Sequence, residues 1–340
     1  MGSVGFALIA VLGLAYVKWV PYWNRAFVAA SNHAIGKSIL TGGASSPPDP
    51  SWRAAVDYAW AYGASIWQAM VLGLLLGSAI QALLPSRWIL RLLGQASAGS
   101  VLRGAALAVP GMMCSCCAAP VVIGLRRAKA SVGGAVAFWL GNSVLNPATL
   151  VFAGFVLGWQ WSALRLVLGM AAVLGLGLLA NRMASPEEAH AVEQEMAVVE
   201  ATEQRDGLIT RWLTILARMA VRLIPEYIVL VLLLGAARAW LFPHVGPEIG
   251  NEFGWIFAFA VAGTLFVIPT AGEVPIIQAI LASGVGVGPA GALLMVLPPI
   301  SLPSLAMVAG AFRFRLLAAM TIGVVAIGIV GGLMAIVLKF

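Results

Sequence analysis

Charged side chains are scarce in this sequence. Asp, Glu, Lys and Arg together make up 10% of its 340 residues, whereas soluble domains carry about 25%. Four stretches contain none of them: 1–17, 104–125, 130–164 and 316–338. Because about 20 apolar residues cross the hydrocarbon layer of a bilayer, these stretches exclude a soluble domain. They predict an all-α polytopic membrane protein.

The sequence also lacks the motifs of common enzymes and nucleotide-binding proteins. It has no phosphate-binding loop, no dinucleotide-binding glycine motif and no Ser/His/Asp set. We therefore expect no enzyme activity, no catalytic residues and no cofactor. The net charge of +7 fits loops that face anionic lipid better than nucleic acid. The expected partners are the lipid bilayer and a small-molecule or ion substrate, and a homo-oligomer is left open.

Only three cysteines occur, and all lie in the segment Pro110–Pro120, P-G-M-M-C-S-C-C-A-A-P. Cys114, Cys116 and Cys117 are too close and odd in number for a disulfide framework. No nearby His or fourth Cys completes a closed zinc site. Thiolates bind soft ions, so we predict substrate contacts, including transient contact with a thiophilic metal ion. The alternative is that the cysteines pack as small apolar residues.

A second broken segment, Pro269–Pro275, reads P-T-A-G-E-V-P and holds Glu273, the only charge between Phe253 and Phe312. Two broken segments in corresponding halves of a membrane protein indicate a transport site. We predict Thr270 and Glu273 as substrate contacts, with Glu273 also the gating or coupling carboxyl. The alternative for Glu273 is a protonated or paired structural carboxyl. The prolines expected to take part in gating are Pro110, Pro120, Pro269 and Pro275.

Polar residues also follow a pattern within two apolar helices. Asn142, Asn146 and Thr149 are spaced i, i+4 and i+7 and would share one helical face. Ser301 and Ser304 are spaced i, i+3 in the second half. We predict that all five contact substrate. Hydrogen bonding between helices is the alternative.

The order of elements repeats along the chain. Helices are expected near 4–22, 57–84, 131–157, 163–180, 221–242, 289–311 and 315–338, with broken segments near 104–125 and 254–284. The predicted organisation is an N-terminal helix and loop (1–56), a first repeat (57–180), an acidic linker (181–220) and a second repeat (221–340). The apolar N-terminus has no basic n-region or cleavage site, so we expect a helix there instead of a signal peptide.

Basic residues predict the orientation. If both broken segments are re-entrant hairpins, thirteen of the twenty Lys and Arg residues collect on one side, which is then cytoplasmic. The first hairpin would enter from the cytoplasm and the second from outside. The fold is therefore expected to be an inverted-topology repeat with two re-entrant or broken-helix hairpins. The N-terminus and the linker 181–220 are expected in the cytoplasm.

The motifs resemble those of the predicted-permease family that includes the organoarsenical efflux permeases. These motifs are C-S-C-C-A-A-P at Cys114–Pro120, the Gly-rich helix from Gly133 to Asn146-Pro147, and E-V-P at Glu273–Pro275. The resemblance covers about residues 57–338. Cys117 stands where that family commonly has glycine. The resemblance implies a permease of the bacterial inner membrane, in a family often tied to resistance to arsenicals or metals.

Three functions remain open at this point. The first is a secondary transporter for a thiophilic substrate such as a metalloid, an organoarsenical or a soft metal ion; a small oxyanion or sulfur compound is its alternative substrate. The second is a membrane thiol–disulfide oxidoreductase that uses Cys114 and Cys117, although the chain has no second cysteine pair to pass electrons on. The third is a structural membrane subunit, which a buried Glu273 disfavours.

Overall fold

The structure, a computed structural model, describes residues 2–41, 48–184, 207–242 and 246–340. Every regular element in these ranges is a helix, which confirms the predicted all-helical class. Six helical segments within them are long and apolar enough to cross a membrane. They are Gly2–Asn32, Trp52–Leu83, Val132–Val156, Trp159–Met183, Leu208–Leu241 and Phe314–Val337. The acidic run of the predicted linker lies outside the described residues.

Fourteen helices are numbered here in chain order across the described ranges. The first half contains α1 (Gly2–Asn32), α2 (Trp52–Leu83), α3 (Ser86–Gly94), α4 (Ala98–Ala108), α5 (Ser115–Arg127), α6 (Val132–Val144), α7 (Pro147–Val156) and α8 (Trp159–Met183). The second contains α9 (Leu208–Leu241), α10 (Phe253–Leu265), α11 (Glu273–Ala282), α12 (Val287–Val296), α13 (Leu302–Val308) and α14 (Phe314–Val337). After α2 the chain forms a hairpin, then a helix in two parts, then a long helix. The same three elements follow α9 in the same order. An additional helix, α3, meets α4 at 113°.

Both broken segments are hairpins that return to the end from which they start. At the base of the first, Ser131 Oγ donates to Ser100 Oγ at 3.0 Å, which joins the C-terminal end of α5 to the N-terminal end of α4. At the base of the second, Gly286 N donates to Ile249 O at 2.8 Å, which brings the chain after α11 back to the chain before α10. The tips of the hairpins are residues 112–114 and 266–272.

The two hairpins open at opposite ends of the molecule. Helix α8 links those ends: near its C-terminus, Asn181 Nδ2 donates to Ser97 O at the base of the first hairpin (3.2 Å). Near its N-terminus, Trp161 packs edge-on against Phe340 with ring centroids 5.0 Å apart. The C-terminal part of α14, which leads to Phe340, lies against the start of α12 at the base of the second hairpin. An inverted repeat requires this arrangement, and the symmetry itself stays a prediction.

Two predicted helices are interrupted, so the prediction of continuous helices was wrong there. The helix expected at 131–157 breaks at Asn146, because Pro147 lacks an N–H group and its ring disfavours helical geometry in the residue before it. The helix expected at 289–311 breaks between α12 and α13, where Pro298 and Pro299 have the same effect. Both breaks fall deep in the protein, beside the hairpin tips.

Other helix boundaries also differ from the prediction. Helix α1 continues to Asn32, ten residues beyond its predicted end, and α9 begins at Leu208 instead of 221. Residues 208–220, assigned to the linker, are therefore helical. These extensions carry charged residues between apolar ones, Arg25 in α1 and Arg211 and Arg218 in α9. Uncharged apolar runs alone therefore do not mark the ends of these helices.

Close packing of α2 against α5 places the cysteine segment. A Cβ atom built on Gly73 would lie 2.2 Å from Cys117 O, and one on Gly77 would lie 2.2 Å from Pro120 O. On the other helix, a Cβ on Gly124 would lie 2.4 Å from Gly77 O. Backbones approach this closely only where both surfaces are small, as is common between membrane helices. Glycines on two helices therefore fix the depth and rotation of α5.

Basic side chains gather at the end where the first hairpin opens. They line two surface cavities there and contact neighbouring helices: Arg126, Arg127, Arg218, Arg222, Arg313 and Arg315. Arg126 also stacks on the ring of Phe312, with its guanidinium carbon 5.7 Å from the ring centroid. Basic residues were expected to collect on one side, and the assignment of that side to the cytoplasm stays a prediction.

Candidate functional site

The first hairpin tip places two sulfur atoms in contact at the start of a helix. Cys114 is the N-cap of α5, and its Sγ accepts from Cys117 N at 3.5 Å. The Sγ atoms of these two residues lie 2.9 Å apart, and both residues are buried. Met112 turns the chain with a left-handed φ of 48°, and Trp19 Nε1 of α1 donates to Pro110 O at 2.8 Å. The positive end of α5 therefore faces the paired thiols.

The third cysteine points elsewhere. Cys116 Sγ lies 3.4 Å from Ser301 Oγ, the N-cap of α13. Ser301 and Ser304 form a capping box, in which each side-chain oxygen accepts from the other residue's backbone N–H. Among the described residues, no three His, Cys, Asp or Glu side chains are grouped to hold a metal ion. Cys116 points toward α13 because successive residues of a helix differ in direction by about 100°, and the predicted transient metal contact of the three cysteines stays a prediction.

The second tip is an extended segment fastened to α2. Tyr58 OH donates to Val267 O, and Tyr62 OH donates to Ile268 O at 3.5 Å. Ala271 adopts a left-handed φ of 66°. These tyrosine hydroxyls satisfy backbone carbonyls that have no partner within the non-helical tip, as buried backbone requires.

Glu273, the first residue of α11, is paired with Arg165 of α8. Arg165 Nη1 donates to Glu273 Oε1, and the two side chains are 0% and 2% exposed. The remaining donors of Arg165 bind the end of α6: Nε to Val144 O at 3.2 Å and Nη2 to Ser143 O at 2.7 Å. One guanidinium thus joins α8, the second hairpin tip and the break in the first two-part helix. In this structure Glu273 is a paired carboxyl, and its gating role stays a prediction.

The three polar residues of the first half do not share one helix face, which corrects the prediction. Because the helix breaks, Asn146 caps α7, and its Oδ1 accepts from Ala148 N at 3.0 Å and Thr149 N at 3.3 Å. Asn142 Nδ2 donates to Phe138 O at 2.9 Å. Asn142 Oδ1, Asn146 Nδ2 and Thr149 Oγ1 are buried without a partner among the described residues. Such atoms cost about 1–3 kcal/mol each, which is typical of a site that binds polar groups.

A small cavity connects the two tips. Its volume is about 10 Å³, room for about one water molecule. It is lined by five of the predicted site residues, Cys114, Thr149, Pro269, Thr270 and Glu273. Cys116, Ser301 and Ser304 lie instead at the contact between α5 and α13.

A larger cavity of about 660 Å³ opens at the end opposite the basic cluster. Pro269 and Thr270 line both cavities, so the second tip separates one from the other. At the base of the larger cavity, Lys18 Nζ donates to Tyr22 OH and to Thr270 Oγ1, both at 3.2 Å. The larger cavity therefore reaches to within one side chain of the small one.

The four prolines predicted at the gate have different positions. Pro110 lies in a short 3-10 turn that ends α4, and Pro120 lies within α5. Pro269 belongs to the second tip, and Pro275 is the third residue of α11. Both of the latter line the larger cavity.

Comparison with known proteins places this arrangement in a family. Residues 51–337 match a family described as predicted permeases. The chain belongs to that family. It is 49% identical to UPF0718 protein YraQ of Escherichia coli K12 over 332 residues, which cover 96% of this chain and 93% of YraQ. It is 21% identical to UPF0718 protein MJ0584 of Methanocaldococcus jannaschii over 303 residues, which cover 69% of this chain and 82% of MJ0584. No solved structure matches the chain. The resemblance inferred from the motifs is confirmed.

Two charged residues of this candidate site were missed from the sequence. Lys18 is the only charge in the first 24 residues, and Arg165 is the only charge between Lys129 and Arg182. The rule that singled out Glu273, that ionisable residues deep in a membrane are functional or paired, applies equally to both. The pairing of Arg165 with Glu273 joins residues 108 positions apart, and no local pattern predicts such a pair.

Proposed function

We propose that this permease is a secondary transporter of the bacterial inner membrane, in which a small thiophilic substrate passes between the two hairpin tips. A metalloid, an organoarsenical or a soft metal ion fits this description. The observation that carries the proposal is the contact of Cys114 Sγ with Cys117 Sγ, 2.9 Å apart, at the N-terminus of α5. Two adjacent thiols can bind one soft atom together.

The cavities support a route with one open and one closed side. The larger cavity would admit substrate from outside the cell, and Thr270 of the second tip separates it from Cys114. Toward the basic end, which we place in the cytoplasm together with the N-terminus and residues 181–220, the contact of Cys116 with Ser301 closes the path. Transport requires the two tips to separate from their partners in alternation, as in transporters built from broken helices.

Glu273 and Arg165 are suited to couple that movement to an ion. A proton on Glu273, or a cation beside it, would compete with the ion pair that holds the second tip against α6 and α8. No ATP-binding motif occurs in the sequence, so an ion gradient is the proposed energy source for uphill transport. The expected signature is that Glu273→Gln removes the response of flux to an imposed pH or ion gradient.

Flux into proteoliposomes tests the proposal. The probes are arsenite, a trivalent methylarsenical, silver ion and thiosulfate, which separate a thiophilic metalloid or metal from a small sulfur oxyanion, the alternative substrate. We expect flux of one probe class above that of protein-free vesicles. Replacing Cys114, Cys116 and Cys117 together by Ser should abolish it, whereas Lys339→Met, at an exposed position far along the chain from both tips, should retain it. Undiminished flux in the triple variant would rule out a direct role of the thiols.

Thiol–disulfide exchange is the second candidate, since Cys114 and Cys117 form a C-x-x-C pair at a helix N-terminus. Cys116 is the only further cysteine in the chain, so electrons would have to pass to a separate dithiol protein or a quinone. Mass-spectrometric trapping of a mixed disulfide with such a partner would favour this function. A pair that does not cycle between its oxidised and reduced forms would eliminate it.

A further inference from the structure

We propose that the larger cavity is an anion-binding vestibule with Lys18 at its base, and that the substrate carries a negative charge there. The binding of an anion stands on the cavity alone, whereas its identity as the substrate rests on the proposed transport function. Basic residues outnumber acidic ones on the wall. The charged residues that line it are Lys18, Arg25, Lys37 and Arg238, against Asp57.

Lys18 is a buried basic residue without an acidic partner among the described residues, and this supports the binding of an anion. Its side chain is buried, with 3% of the residue exposed; its hydrogen-bond partners are the hydroxyl groups of Tyr22 and Thr270, and its Nζ also lies 5.1 Å from the centroid of the Tyr22 ring. Within the described part of the chain, Lys18 forms no ion pair with a carboxylate. An ammonium group has three N–H donors, and burial of a charge without a counter-ion is strongly unfavourable. An anion in the cavity would accept from the third donor and neutralise the charge.

Helix α1 is shaped to present this residue. Lys18 belongs to a π-helical turn, Ala15–Trp19, inside α1. Such turns widen a helix locally and occur frequently at functional sites. The turn touches both hairpin tips, because Trp19 binds Pro110 O of the first tip region and Lys18 binds Thr270 of the second. An anion at Lys18 therefore lies between the elements that must move.

The other charged residues that line the larger cavity keep its electrostatic potential positive. Arg25 is held in place by its hydrogen bond to Ile35 O (2.6 Å), and a positive charge held there cannot turn away from the cavity. The one acid, Asp57, lies 3.9 Å from Arg53, which offsets its charge. A cleft with basic walls attracts anions and repels cations. A free soft cation is therefore disfavoured on this side.

The vestibule and the thiols together define a substrate class. The basic wall selects a negative charge, and Cys114 with Cys117, beyond Thr270, selects a soft atom. The substrate inferred from both is a small anion that contains a reactive sulfur or metalloid atom. A neutral or cationic thiophile would gain nothing from Lys18.

Charge-selective labelling of a reporter cysteine tests the vestibule. Ser65 lines the cavity, so Ser65→Cys is introduced with the three native cysteines replaced by Ser. The probes are the anionic 2-sulfonatoethyl and the cationic 2-(trimethylammonio)ethyl methanethiosulfonates. In both, the reporter thiolate displaces methanesulfinate and forms a mixed disulfide. The ratio of the two rates measures charge selection, because the reactivity of the thiolate cancels.

The expected ratio of anionic to cationic labelling at Ser65→Cys is about tenfold above that at Ser31→Cys, an exposed position outside the cavity. Lys18→Met should remove most of this preference, whereas Lys339→Met, at the exposed C-terminus, should leave it intact. Equal ratios at the two reporters would overturn the vestibule. A preference that survives Lys18→Met would overturn the role of Lys18.

Two arrangements keep the result decisive. If the triple Ser variant does not elute as a monodisperse peak, the reporter is placed in the otherwise native chain, whose cysteines are buried. The labelling ratio needs no flux, so it holds or fails independently of the transport proposal. In vesicles, Lys18→Met should lower thiosulfate flux about tenfold more than it lowers flux of a neutral methylarsenical. Loss of both to the same degree, or of neither, would overturn the assignment of an anionic substrate.

Discussion

Arg165 of α8 and Glu273 at the start of α11 form an ion pair in which neither side chain is more than 2% exposed. Arg165 also binds the carbonyls of Ser143 and Val144, where the first two-part helix breaks. The pair therefore fixes the second hairpin tip relative to the first half of the chain. It is also the point at which a bound ion could release that tip.

Arg165→Met should destabilise the protein strongly. It leaves the carboxylate of Glu273 and two carbonyls buried without their donor, and loss of one partner of a buried pair costs about 3–5 kcal/mol. The double variant Arg165→Met/Glu273→Gln should be less destabilised than the sum of the single variants. Thermal unfolding in detergent measures both. The exposed ion pair of Arg53 with Asp57 provides the control, since Arg53→Gln should hardly change Tm. Additive losses would contradict the pairing.

Two glycines of α2 should respond in opposite ways to alanine. A Cβ on Gly73 meets Cys117 O at 2.2 Å, whereas a Cβ on Gly63 meets nothing within 4 Å. Gly73→Ala should displace α5 and lower both Tm and flux. Gly63→Ala should be neutral or raise stability by up to about 1 kcal/mol, because alanine favours a helix. Equal effects of the two substitutions would show that α2 and α5 are not in backbone contact.

The side chain of Asn146 has two groups with different roles: its Oδ1 caps α7, and its Nδ2, unpartnered among the described residues, is available to substrate. A substitution can separate these two roles. Asn146→Ser retains an oxygen that caps α7 but removes the unpartnered Nδ2. Because Ser is about as good an N-cap as Asn, Tm should stay close to wild type while substrate affinity falls. Asn146→Ala should lower both, with a stability loss of about 1 kcal/mol. Wild-type transport by Asn146→Ser would restrict Asn146 to capping.

Mild oxidation should join only one pair of cysteines. The sulfur atoms of Cys114 and Cys117 are in contact, while Cys116 lies against Ser301. Peptide mapping after alkylation is expected to find a Cys114–Cys117 disulfide with Cys116 alkylated. The oxidised protein should lose transport and regain it on reduction. A disulfide that contains Cys116 would show that the tip adopts another arrangement.

The sequence predicts the class of fold and several residues of the candidate site because apolar runs and proline breaks are local signals. The hairpins at Pro110–Pro120 and Pro269–Pro275 followed from such breaks, and Cys114, Thr149, Thr270 and Glu273 do meet at one cavity. What the sequence could not predict depends on long-range contacts. The helix face drawn through Asn142, Asn146 and Thr149 assumed an unbroken helix, whereas Pro147 and the cap at Asn146 interrupt it.

The contact of Lys18 with the second hairpin tip is also long-range and could not be predicted from the sequence. Its charge in an apolar helix was visible in the sequence, but its contact with Thr270 spans 252 positions. A π-helical turn in α1 sets its direction, and apolar runs and proline breaks do not predict such a turn. Spatial partners of isolated charges require the packed structure.

We propose that Cys114 and Cys117 form the thiophilic part of the transport site. Phenylarsine oxide binds two neighbouring thiols with one arsenic atom, so intact-mass spectrometry of the labelled protein tests the pair directly. We predict one arsenic per chain in wild type and in Cys116→Ser, and none retained in Cys114→Ser or Cys117→Ser. Retention in Cys114→Ser, or loss in Cys116→Ser, would contradict the account.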